Sequence, residues 1–517
     1  MKTGKIVLAA VGAVLCGCVA PAFRPGAEVP RNATLKTMGG PLIQAHRGSR
    51  GELQDNGAGA FAWSLSKGIR GFETDIRFSK DRHLVVMHDS RVNRTTDGNG
   101  VVEEMTLEEL RACRLRNNSE PVPTLEEVIA PLAKRKDVFI ELEMKAYPGG
   151  FYTQEVLEDY CRKLAATARE RLEPGTYAFT CFNVGTLETM RRVAPDAPMG
   201  YIVGAGLTEE HIATAKRLKC GSVAPSLKKT KKEMVEKAHA AGLTVCLWMV
   251  QNAADWWLAK QKGADRVTSD YPHLLDLALR GKRKKVVAMD LDATLCQHRT
   301  PVPWKNFKAL EALCGKYKCV MVGGGNAQRI YRQMCEYPID IVGNYGMQVA
   351  TVTNGEFKVV RVASNTVDRA HFRRETDKLR EKYGYTKYAG EPLEFHASGM
   401  VTLALLGLDA ASADKLAFDP DKRKRRAMYK DVCAAFPDHT VTIGGSTSFD
   451  ILGKKDNKYD ATVRWAAEHG CKPSDIVFIG DDFADGGGDS HARLGGLDLI
   501  VINDYRAFAD AVGVLLK

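Results

Sequence analysis

The amino-acid sequence predicts an α/β protein with two domains, a (β/α)8 TIM barrel followed by a second α/β domain that carries a cap. From Pro41 to about residue 280, short apolar runs alternate with longer amphipathic segments, as strands and helices do in parallel α/β folds. A basic segment follows at 281–285, which we expect to be a solvated connector rather than a contact with a membrane or an anionic polymer. A new strand-like run begins at Val286. The length of 517 residues fits roughly two to four domains, each with its own core.

The first 22 residues predict an export signal. The apolar stretch Ile6 to Val19 follows two lysines and is shorter than the about 20 residues that a membrane-spanning helix needs. Processing could follow a lipobox-like segment, Leu15-Cys16-Gly17-Cys18, which would leave a lipid tether on Cys18, or the A-x-A segment Ala20-Pro21-Ala22. We therefore expect an exported protein, either held in the cell envelope or secreted. A cytoplasmic protein with an apolar first segment is the alternative.

The composition narrows the class of protein further. A hydrophobic fraction of 44% is ordinary for a globular protein and argues against disorder. The net charge of +11 fits either anionic substrates or a solubilising surface, and we find no motif for nucleic-acid binding. Most cysteines lie in apolar runs, so we expect small buried hydrophobic residues rather than a disulfide framework. Residues 23–40, which are rich in Pro, Gly and Ala, predict a tether before the barrel.

Eight strands account for a barrel over residues 41–280. The strand-like runs are 42–46, 71–78, 138–145, 176–182, 199–203, 221–226, 244–250 and 265–270. A further run at 84–88 follows a turn-like break and predicts a hairpin arm that returns from the second strand. In this fold, catalytic residues gather where the strands end, and polar residues occur at these ends here.

Two histidines and two acids converge on the first two strands. His46 follows the first strand, and Glu73 and Asp75 point to the same side of the second, because side chains alternate along a strand. A hairpin centred at 81–82 would place residue 88 opposite residue 75, so His88 would lie beside both acids. This combination is typical of a metal-dependent acid–base site for an anionic substrate.

The third strand adds three more charges. Glu141, Glu143 and Lys145 share one face of this strand, and such charges inside a barrel are costly without partners. A cation held by Glu73, Asp75 and Glu143 would account for the acids, and an anionic substrate would account for the lysine. Hard oxygen ligands favour Mg²⁺ or Ca²⁺ over zinc.

Short motifs in a fixed order give this domain a family resemblance. They are His46-Arg47-Gly48, Glu73-Thr74-Asp75, His88-Asp89, Arg94-Thr95-Thr96, Pro123-Thr124-Leu125-Glu126-Glu127, Glu143-Met144-Lys145, Trp248, and Thr268-Ser269-Asp270-Tyr271-Pro272. Over about 230 residues the domain resembles the glycerophosphodiester phosphodiesterase family. The resemblance implies that Glu73, Asp75 and Glu143 bind the metal, that His46 and His88 are the acid–base pair, and that Arg47 and Lys145 hold the phosphate. One segment departs from the family pattern: Gln54-Asp55-Asn56-Gly57 stands where Pro-Glu-Asn-Thr is usual.

These residue types suit phosphodiester hydrolysis. A phosphodiester is a poor electrophile, because its negative charge repels nucleophiles. A divalent cation together with Arg47 and Lys145 would neutralise that charge. One histidine would take a proton from the attacking hydroxyl and the other would give one to the leaving alcohol, since the pKa of histidine lies near neutrality.

The second domain, 286–517, opens with a strand that ends in Asp290-Leu291-Asp292-Ala293-Thr294. This D-x-D-x-T pattern resembles the first motif of haloacid dehalogenase-like phosphotransferases, in which the first Asp attacks phosphorus and the second protonates the leaving group. Lys458 and the strand that ends in Asp481-Asp482, with Asp489 beyond, continue the resemblance in order. It implies Mg²⁺ bound by Asp290, Asp481 and Asp489, with Lys458 bracing the phosphate.

Three further segments resemble the phosphomannomutase-like branch: Val322-Gly323-Gly324-Gly325, Gly343-Asn344-Tyr345-Gly346 and Gly444-Gly445-Ser446-Thr447-Ser448-Phe449-Asp450. The spacing of the motifs predicts a cap at about 365–440, after the second motif. That motif, Gly323-Gly324-Gly325-Asn326, lacks the usual hydroxyl, so only backbone N–H groups and Asn326 could bind the phosphate there. The arginines that bind a sugar phosphate are missing from the cap. We therefore expect a phosphatase rather than a mutase, with a cap-bearing domain of little turnover as the alternative.

Together these features predict an exported metal-dependent phosphoesterase. Its barrel would cleave glycerophosphodiesters to an alcohol and sn-glycerol 3-phosphate, and its second domain would remove phosphate from a monoester, for which that product is a candidate. Two alternatives stay open: a phospholipase-D-like enzyme that acts on lysolipids, and a surface lipoprotein that binds glycerophosphoryl groups without turnover. The partners we expect are small-molecule substrates and no nucleic acid, with a membrane tether if Cys18 is lipidated.

Overall fold

The computed structural model describes residues 40–363 and 365–517. The expected signal peptide, its processing sites and nearly all of the tether lie outside the described residues. Within the described part of the chain, no helix is long and apolar enough to cross a membrane. The eleven cysteines described there are all free, and seven of them are buried, as expected of small hydrophobic residues.

The first domain is a closed barrel of eight parallel strands, which confirms the predicted fold class. Its strands and the hairpin arm, β1 to β9, are Leu42–Ala45, Gly71–Phe78, Leu84–Val86, Phe139–Met144, Tyr177–Cys181, Met199–Val203, Ser222–Pro225, Thr244–Leu247 and Arg266–Ser269. The sheet order is β1-β9-β8-β7-β6-β5-β4-β2, and β1 pairs with β2 to close it. The helices around it, α1 to α9, are Ala58–Ser66, Leu107–Ala112, Leu125–Ile129, Gln154–Arg171, Val184–Val193, Glu209–Arg217, Lys232–Ala240, Ala253–Lys262 and Pro272–Leu279.

The hairpin between β2 and β3 has a register that differs by one residue from the prediction. Ile76 pairs with Val86, and the Met87 N–H donates to the Asp75 carbonyl at 3.0 Å, so Met87 rather than His88 lies opposite Asp75. The turn is centred on Asp81, because the Ser79 N–H donates to the His83 carbonyl at 3.0 Å and these two residues lie symmetrically on either side of Asp81. His88 therefore follows the end of β3.

One charge on β4 has a partner that the sequence analysis did not name. Glu141 lies 2.8 Å from Arg266 on β9, and both side chains are almost fully buried inside the barrel. Because each of these charges has a partner of opposite sign, the pair needs no metal. Glu143 and Lys145, two and four residues further on, lie at the open end of the barrel.

The second domain is an α/β core with a cap. The core strands β10 to β14, β19 and β20 form one sheet in the order β14-β13-β12-β11-β10-β19-β20, and β15 to β18 form a separate antiparallel cap sheet in the order β15-β16-β18-β17. Strands β10 to β20 are Val286–Met289, Lys318–Val322, Asp340–Gly343, Gln348–Thr353, Glu356–Val362, Leu393–Phe395, Val401–Ala404, His439–Gly444, Ser448–Gly453, Ile476–Gly480 and Asp498–Val501. The helices α10 to α18 are Trp304–Cys314, Ala327–Gln333, Arg369–Tyr383, Ser412–Phe418, Arg423–Ala435, Lys458–Glu468, Ser490–Leu494, Phe508–Ala511 and Gly513–Leu516.

The cap sheet continues past residue 440, where the sequence analysis ended the cap. Strands β17 and β18 form a hairpin over 439–453, and β18 pairs with β16 in the same sheet. The segment Gly444–Asp450, which was singled out in the sequence as a branch motif, lies in this hairpin. The hairpin therefore forms part of the cap surface that faces the core.

The two domains pack against each other through charged and apolar contacts. Asp498 on β20 receives hydrogen bonds from Lys67 at 2.7 Å and from His273 at 3.2 Å, both on the barrel. Lys284 from the segment between the domains also pairs with Asp498, and its side chain is 9% exposed. The sequence analysis favoured a solvated connector over 281–285. At Lys284 the structure shows instead a partly buried ion pair.

Candidate active sites

Three carboxylates meet at the open end of the barrel. In the parallel pairing of β2 with β4, Asp75 lies beside Glu143, and Glu73 is on the same face two residues earlier. One oxygen from each of Glu73, Asp75 and Glu143 lies within 4.8 Å of the others, and all three residues are buried. The structure therefore brings together the three acids that the sequence analysis assigned to a metal.

The electrostatics of this cluster fit a cation. Burial, followed by the charges of Asp75 and Glu143, raises the pKa of Glu73 well above its usual value. Burial also raises the pKa of Glu143 to about 7, against the charge of Lys145. The Oε1 atom of Glu73 is buried and has no hydrogen-bond partner. Buried carboxylate oxygens in this state suit a hard divalent cation, so the residues present fit Mg²⁺ or Ca²⁺.

His46 is held by an acid from the last strand of the barrel. Its Nδ1 lies 2.6 Å from Asp270 Oδ1, and its Nε2 lies 3.9 Å from Glu73 Oε2. Gln251 donates to the other oxygen of Asp270 at 2.7 Å. Burial lowers the pKa of His46, although Asp270 acts to raise it. The ring is thus oriented through Nδ1, which leaves Nε2 toward the acidic cluster for proton transfer.

His88 has a similar partner. Its Nδ1 lies 2.6 Å from Asp89 Oδ1, and Arg94 donates to the other oxygen of Asp89. Burial lowers the pKa of His88, against the nearby charge of Asp75. Two histidines, each paired with its own carboxylate, therefore lie next to the three acids.

The two predicted phosphate-binding cations lie within the same cluster. Arg47 donates its backbone N–H to Glu73 at 3.0 Å, and its Nε lies 3.3 Å from Asp75. Lys145 Nζ lies 3.2 Å from Asp75 and also contacts Glu143. The backbone of Arg47 is left-handed at φ 51°, which turns the chain sharply after β1. Both cations thus pair with the acids that we expect to bind metal.

The segment that departs from the family pattern supports this site. Asn56 donates to Asp75 at 2.7 Å, and Asp55 accepts from Arg47 at 3.2 Å and from Arg94 at 3.0 Å. Gln54 accepts a hydrogen bond from the Asn117 backbone at 2.9 Å. The segment therefore orients catalytic-site residues and also contacts the loop that reaches the second domain.

The sequence analysis gave no role to Asp270, Asp89 or Gln251. A signal for Asp270 was available, because a closed barrel places its first and eighth strands side by side. Ala45 pairs with Ser269, so the next residue on each strand, His46 and Asp270, must be neighbours.

A second acidic cluster lies in the second domain. One oxygen from each of Asp290, Asp481 and Asp489 lies within 4.8 Å of the others. Lys458 Nζ lies 2.8 Å from Asp290 and 2.7 Å from Asp489. Burial raises the pKa of Asp290 to about 6, against the charge of Lys458. These donors, all carboxylate oxygens, fit Mg²⁺, and the four predicted residues lie together.

Asp292 is held by a group that the sequence analysis missed. Arg329 Nη1 lies 3.1 Å from Asp292, and Gln333 and the Arg299 N–H donate to its other oxygen, each at 2.7 Å. Burial would raise the pKa of Asp292, but these hydrogen bonds and the Arg329 charge lower it. Asn326, which sequence reasoning offered to the phosphate, instead accepts the N–H of Arg329 as the cap of α11.

The guanidinium of Arg329 also fills the space where the second motif lacks a hydroxyl. A Cβ at Gly325 would clash with this guanidinium. A cavity of about 620 Å³ lies between core and cap and is lined by Asp290, Asp292, Gly325 and Arg329 together with polar cap residues. From the cap, Asp450 and His396 face the same cavity.

Comparisons with known proteins find one family in the barrel domain and a different family in the second domain. The model of the glycerophosphoryl diester phosphodiesterase family matches residues 46–274, and a haloacid dehalogenase-like hydrolase model matches residues 402–486. A glycerophosphodiester phosphodiesterase of Caldanaerobacter subterraneus subsp. tengcongensis is 31% identical over 252 residues, which cover 46% of this chain and 98% of that protein. A glycerophosphodiester phosphodiesterase of Bacillus subtilis is 26% identical over 259 residues, covering 46% of this chain and 87% of the relative.

Among solved structures, an Oleispira antarctica phosphodiesterase in complex with sn-glycerol-3-phosphate is similar to this chain. The two share 24% sequence identity with a TM-score of 0.42, and the match covers 47% of this chain and 98% of that one.

Proposed function

The chain belongs to the glycerophosphodiester phosphodiesterase family, and we propose that its barrel hydrolyses glycerophosphodiesters to an alcohol and sn-glycerol 3-phosphate with the help of a divalent metal ion. The main support is one geometric observation. Three buried carboxylates lie within 4.8 Å of one another, and a histidine held by its own carboxylate lies on either side. A site that only binds its ligand needs no such pair of proton-transfer groups, which argues against the lipoprotein without turnover.

Glu73, Asp75 and Glu143 would hold the metal, which would supply positive charge against the phosphate. The residues of the chain do the rest. His46 and His88 exchange protons at Nε2, one with the attacking hydroxyl and the other with the leaving alcohol, while their Nδ1 atoms stay bound to carboxylates. These carboxylates fix the tautomer and stabilise each ring when it is charged.

Arg47 and Lys145 would bind the phosphate oxygens. In the structure both pair with Asp75, so a metal that binds the acids would leave the two cations free to face the substrate. Their geometry suits different tasks, because a guanidinium can contact two oxygens at once whereas an ammonium acts as a point charge.

For the second domain we propose a phosphomonoesterase. Asp290 would attack phosphorus, Asp292 would protonate the leaving group, and Lys458 would brace the phosphate. Mg²⁺ on Asp290, Asp481 and Asp489 would neutralise charge. The sn-glycerol 3-phosphate released by the barrel is our candidate substrate, and the support for it is the fusion of the two domains in one chain.

We also propose that the protein is exported, on the strength of the apolar stretch Ile6 to Val19 and the lipobox-like segment that ends at Cys18. Fractionation of cells that express the full chain tests this location. Recovery in the cytoplasm with an intact first segment would contradict it.

The activity is tested with the purified full chain and glycerophosphocholine. We expect release of choline and glycerol 3-phosphate, loss of both after chelation, and recovery with Mg²⁺ or Ca²⁺. Lysophosphatidylcholine in parallel distinguishes the phospholipase-D-like alternative, which would cleave the lipid faster than the deacylated diester. Free phosphate that appears only when Asp290 is intact would support the second activity. No choline release under any metal condition would refute the barrel assignment.

A further inference from the structure

A cavity of about 210 Å³ lies where the barrel meets the second domain. Barrel residues Arg116 and Asn117 form one side of it, and the other residues belong to the second domain: Ala293, Pro420, Asp421, Lys422, Arg426, Asp481, Asp482, Ile502 and Asn503. Two hydrogen bonds hold its walls together, from Asn117 to Asn503 at 3.3 Å and from the Asp485 N–H to Ser119 at 2.8 Å. Residues of both domains therefore form this cavity, which we call the seam cavity.

Two guanidinium groups face the seam cavity without a direct ion pair. Arg116 and Arg426 have no carboxylate within ion-pair distance among the residues that the structure describes, and each donates only to a backbone carbonyl. Nε of Arg426 is buried and has no hydrogen-bond partner. Burial, followed by the charge of Arg426, lowers the pKa of Arg116. Two like charges held together in this way attract an anion.

The acids that line the seam cavity are already neutralised or belong to the second site. Lys422 pairs with Asp482 at 2.7 Å, and Arg423 pairs with Asp421 at 3.2 Å. Asp481 is one of the three acids that we expect to hold Mg²⁺. Within the described part of the chain, Arg116 and Arg426 are thus the two cations of the lining that form no ion pair.

On the barrel side, the wall of the seam cavity contacts the segment next to the barrel site. Nη2 of Arg116 donates to the Asn93 carbonyl at 3.0 Å. The next residue, Arg94, contacts Asp55 and Asp89, and Asp89 holds the ring of His88. Arg116 therefore contacts the backbone just before Arg94, whose side chain lies beside the Asp89–His88 pair.

The other side opens on the second site. Ala293, Lys422, Asp481 and Asp482 line both the seam cavity and the larger cavity between core and cap. An anion bound between the two guanidinium groups would consequently lie next to the acids that we expect to act on a monoester.

We propose that Arg116 and Arg426 bind the phosphomonoester dianion that the barrel releases and pass it to the second site before it mixes with bulk solvent. This inference rests on both activities in the proposed function. A dianionic phosphate suits two guanidinium groups, since each can contact two of its oxygens. The diester carries a single charge and lacks one of these terminal oxygens, so the pair favours the product over the substrate.

The test follows a ³²P label through diester hydrolysis and then monoester hydrolysis by the full chain. Glycerophosphocholine labelled with ³²P is supplied together with unlabelled glycerol 3-phosphate in about tenfold excess over the product formed, so that free mixing would lower labelled inorganic phosphate about tenfold. We expect the wild type to retain most of the label in phosphate. Arg116→Ala/Arg426→Ala should give the diluted value. Arg114→Ala/Lys430→Ala removes two exposed charges from the same loop and helix and should behave as the wild type.

Each half-reaction is measured separately in the same preparations. Choline release from the diester, and phosphate release from saturating glycerol 3-phosphate, should be unchanged in all variants. The transfer would be overturned, with both activities intact, if the label in phosphate were fully diluted in the wild type. It would also be overturned if Arg116→Ala/Arg426→Ala retained the label as the wild type does. Absence of either half-reaction in the wild type would refute the proposed function, and the transfer with it. High salt should abolish retention in the wild type, because it screens charges at the seam.

Discussion

Nδ1 of His46 lies 2.6 Å from Oδ1 of Asp270, and this contact joins the ends of the first and the last barrel strands. The contact exists because the barrel closes, since the two residues are far apart in sequence. Asp270 contacts the imidazole at Nδ1, and the other ring nitrogen, Nε2, lies 3.9 Å from Glu73.

Replacing Asp270 should reduce turnover without unfolding the barrel. In Asp270→Asn, the amide cannot fix the same tautomer of His46 or stabilise its charged form, so we expect kcat for the diester to fall about 10- to 100-fold with little change in KM. The variant Asp265→Asn alters another His–Asp contact, 2.9 Å long and on the barrel surface, and serves as the control. A change in KM alone would contradict the role assigned to Asp270.

Metal binding should reverse the order of stability of the wild type and Glu73→Gln. Without metal, Glu73 is a buried acid beside two others, and burial and these neighbours raise its pKa. Glutamine removes that repulsion, so in chelator we expect Glu73→Gln to melt at the same temperature as the wild type or higher. Added Mg²⁺ or Ca²⁺ should raise the melting temperature of the wild type by linkage, with little effect on the variant. Calorimetry with and without metal measures both; equal shifts would contradict the ligand role.

The barrel and the cluster of acids could both be predicted from the sequence, for physical reasons. Buried parallel strands form continuous apolar runs, and the period of two along β2 and β4 decides which acids share a face. The geometry of the acidic cluster therefore followed from local pattern and strand order. The register of the β2–β3 hairpin did not, because the sequence does not specify whether the turn is centred on one residue or between two.

Contacts that depend on packing between distant segments could not be predicted. Arg266 on β9 forms an ion pair with Glu141 on β4, and Arg329 on α11 forms one with Asp292, which lies in the loop after β10. Arginine side chains are long, so their partners depend on where helices and strands pack. Lys284 illustrates the same limit. It lies in a basic segment that we expected to be solvated, and its ion pair with Asp498 depends on how the two domains pack.

Arg329 should matter for the monoester reaction and not for the diester. Its guanidinium lies over Gly325, where the second motif lacks a hydroxyl, and 3.1 Å from Asp292. In Arg329→Ala, the phosphate would lose a charged hydrogen-bond donor, so we expect release of phosphate from glycerol 3-phosphate to fall about 10- to 100-fold, equivalent to one such bond. Arg332→Ala, an exposed position on the same helix, is the control. Unchanged phosphate release would show that Arg329 does not bind the phosphate.

Asp498 should make the stability of the domain contact depend on pH. Burial alone would raise its pKa, but the hydrogen bond from His273 and the charge of Lys284 hold the pKa well below its usual value. A carboxyl with a lowered folded-state pKa contributes stability above the unfolded-state value of about 3.9 and loses it as the pH falls through the folded-state pKa. Asp498→Asn leaves a histidine and two lysines without their acid, which should cost about 3 kcal/mol at pH 7.

Denaturant unfolding of Asp498→Asn and the wild type across pH measures this contribution. At pH 7 the variant should unfold at lower denaturant, and the two midpoints should approach each other as the pH falls below about 4, because Asp498 is then protonated in the unfolded chain while it is still ionised in the folded protein. Asp504→Asn, which removes an exposed acid that pairs with Arg506, is the control and should follow the wild type at every pH. A difference that stays constant down to low pH would mean that the ionised form of Asp498 contributes nothing to the contact between the domains.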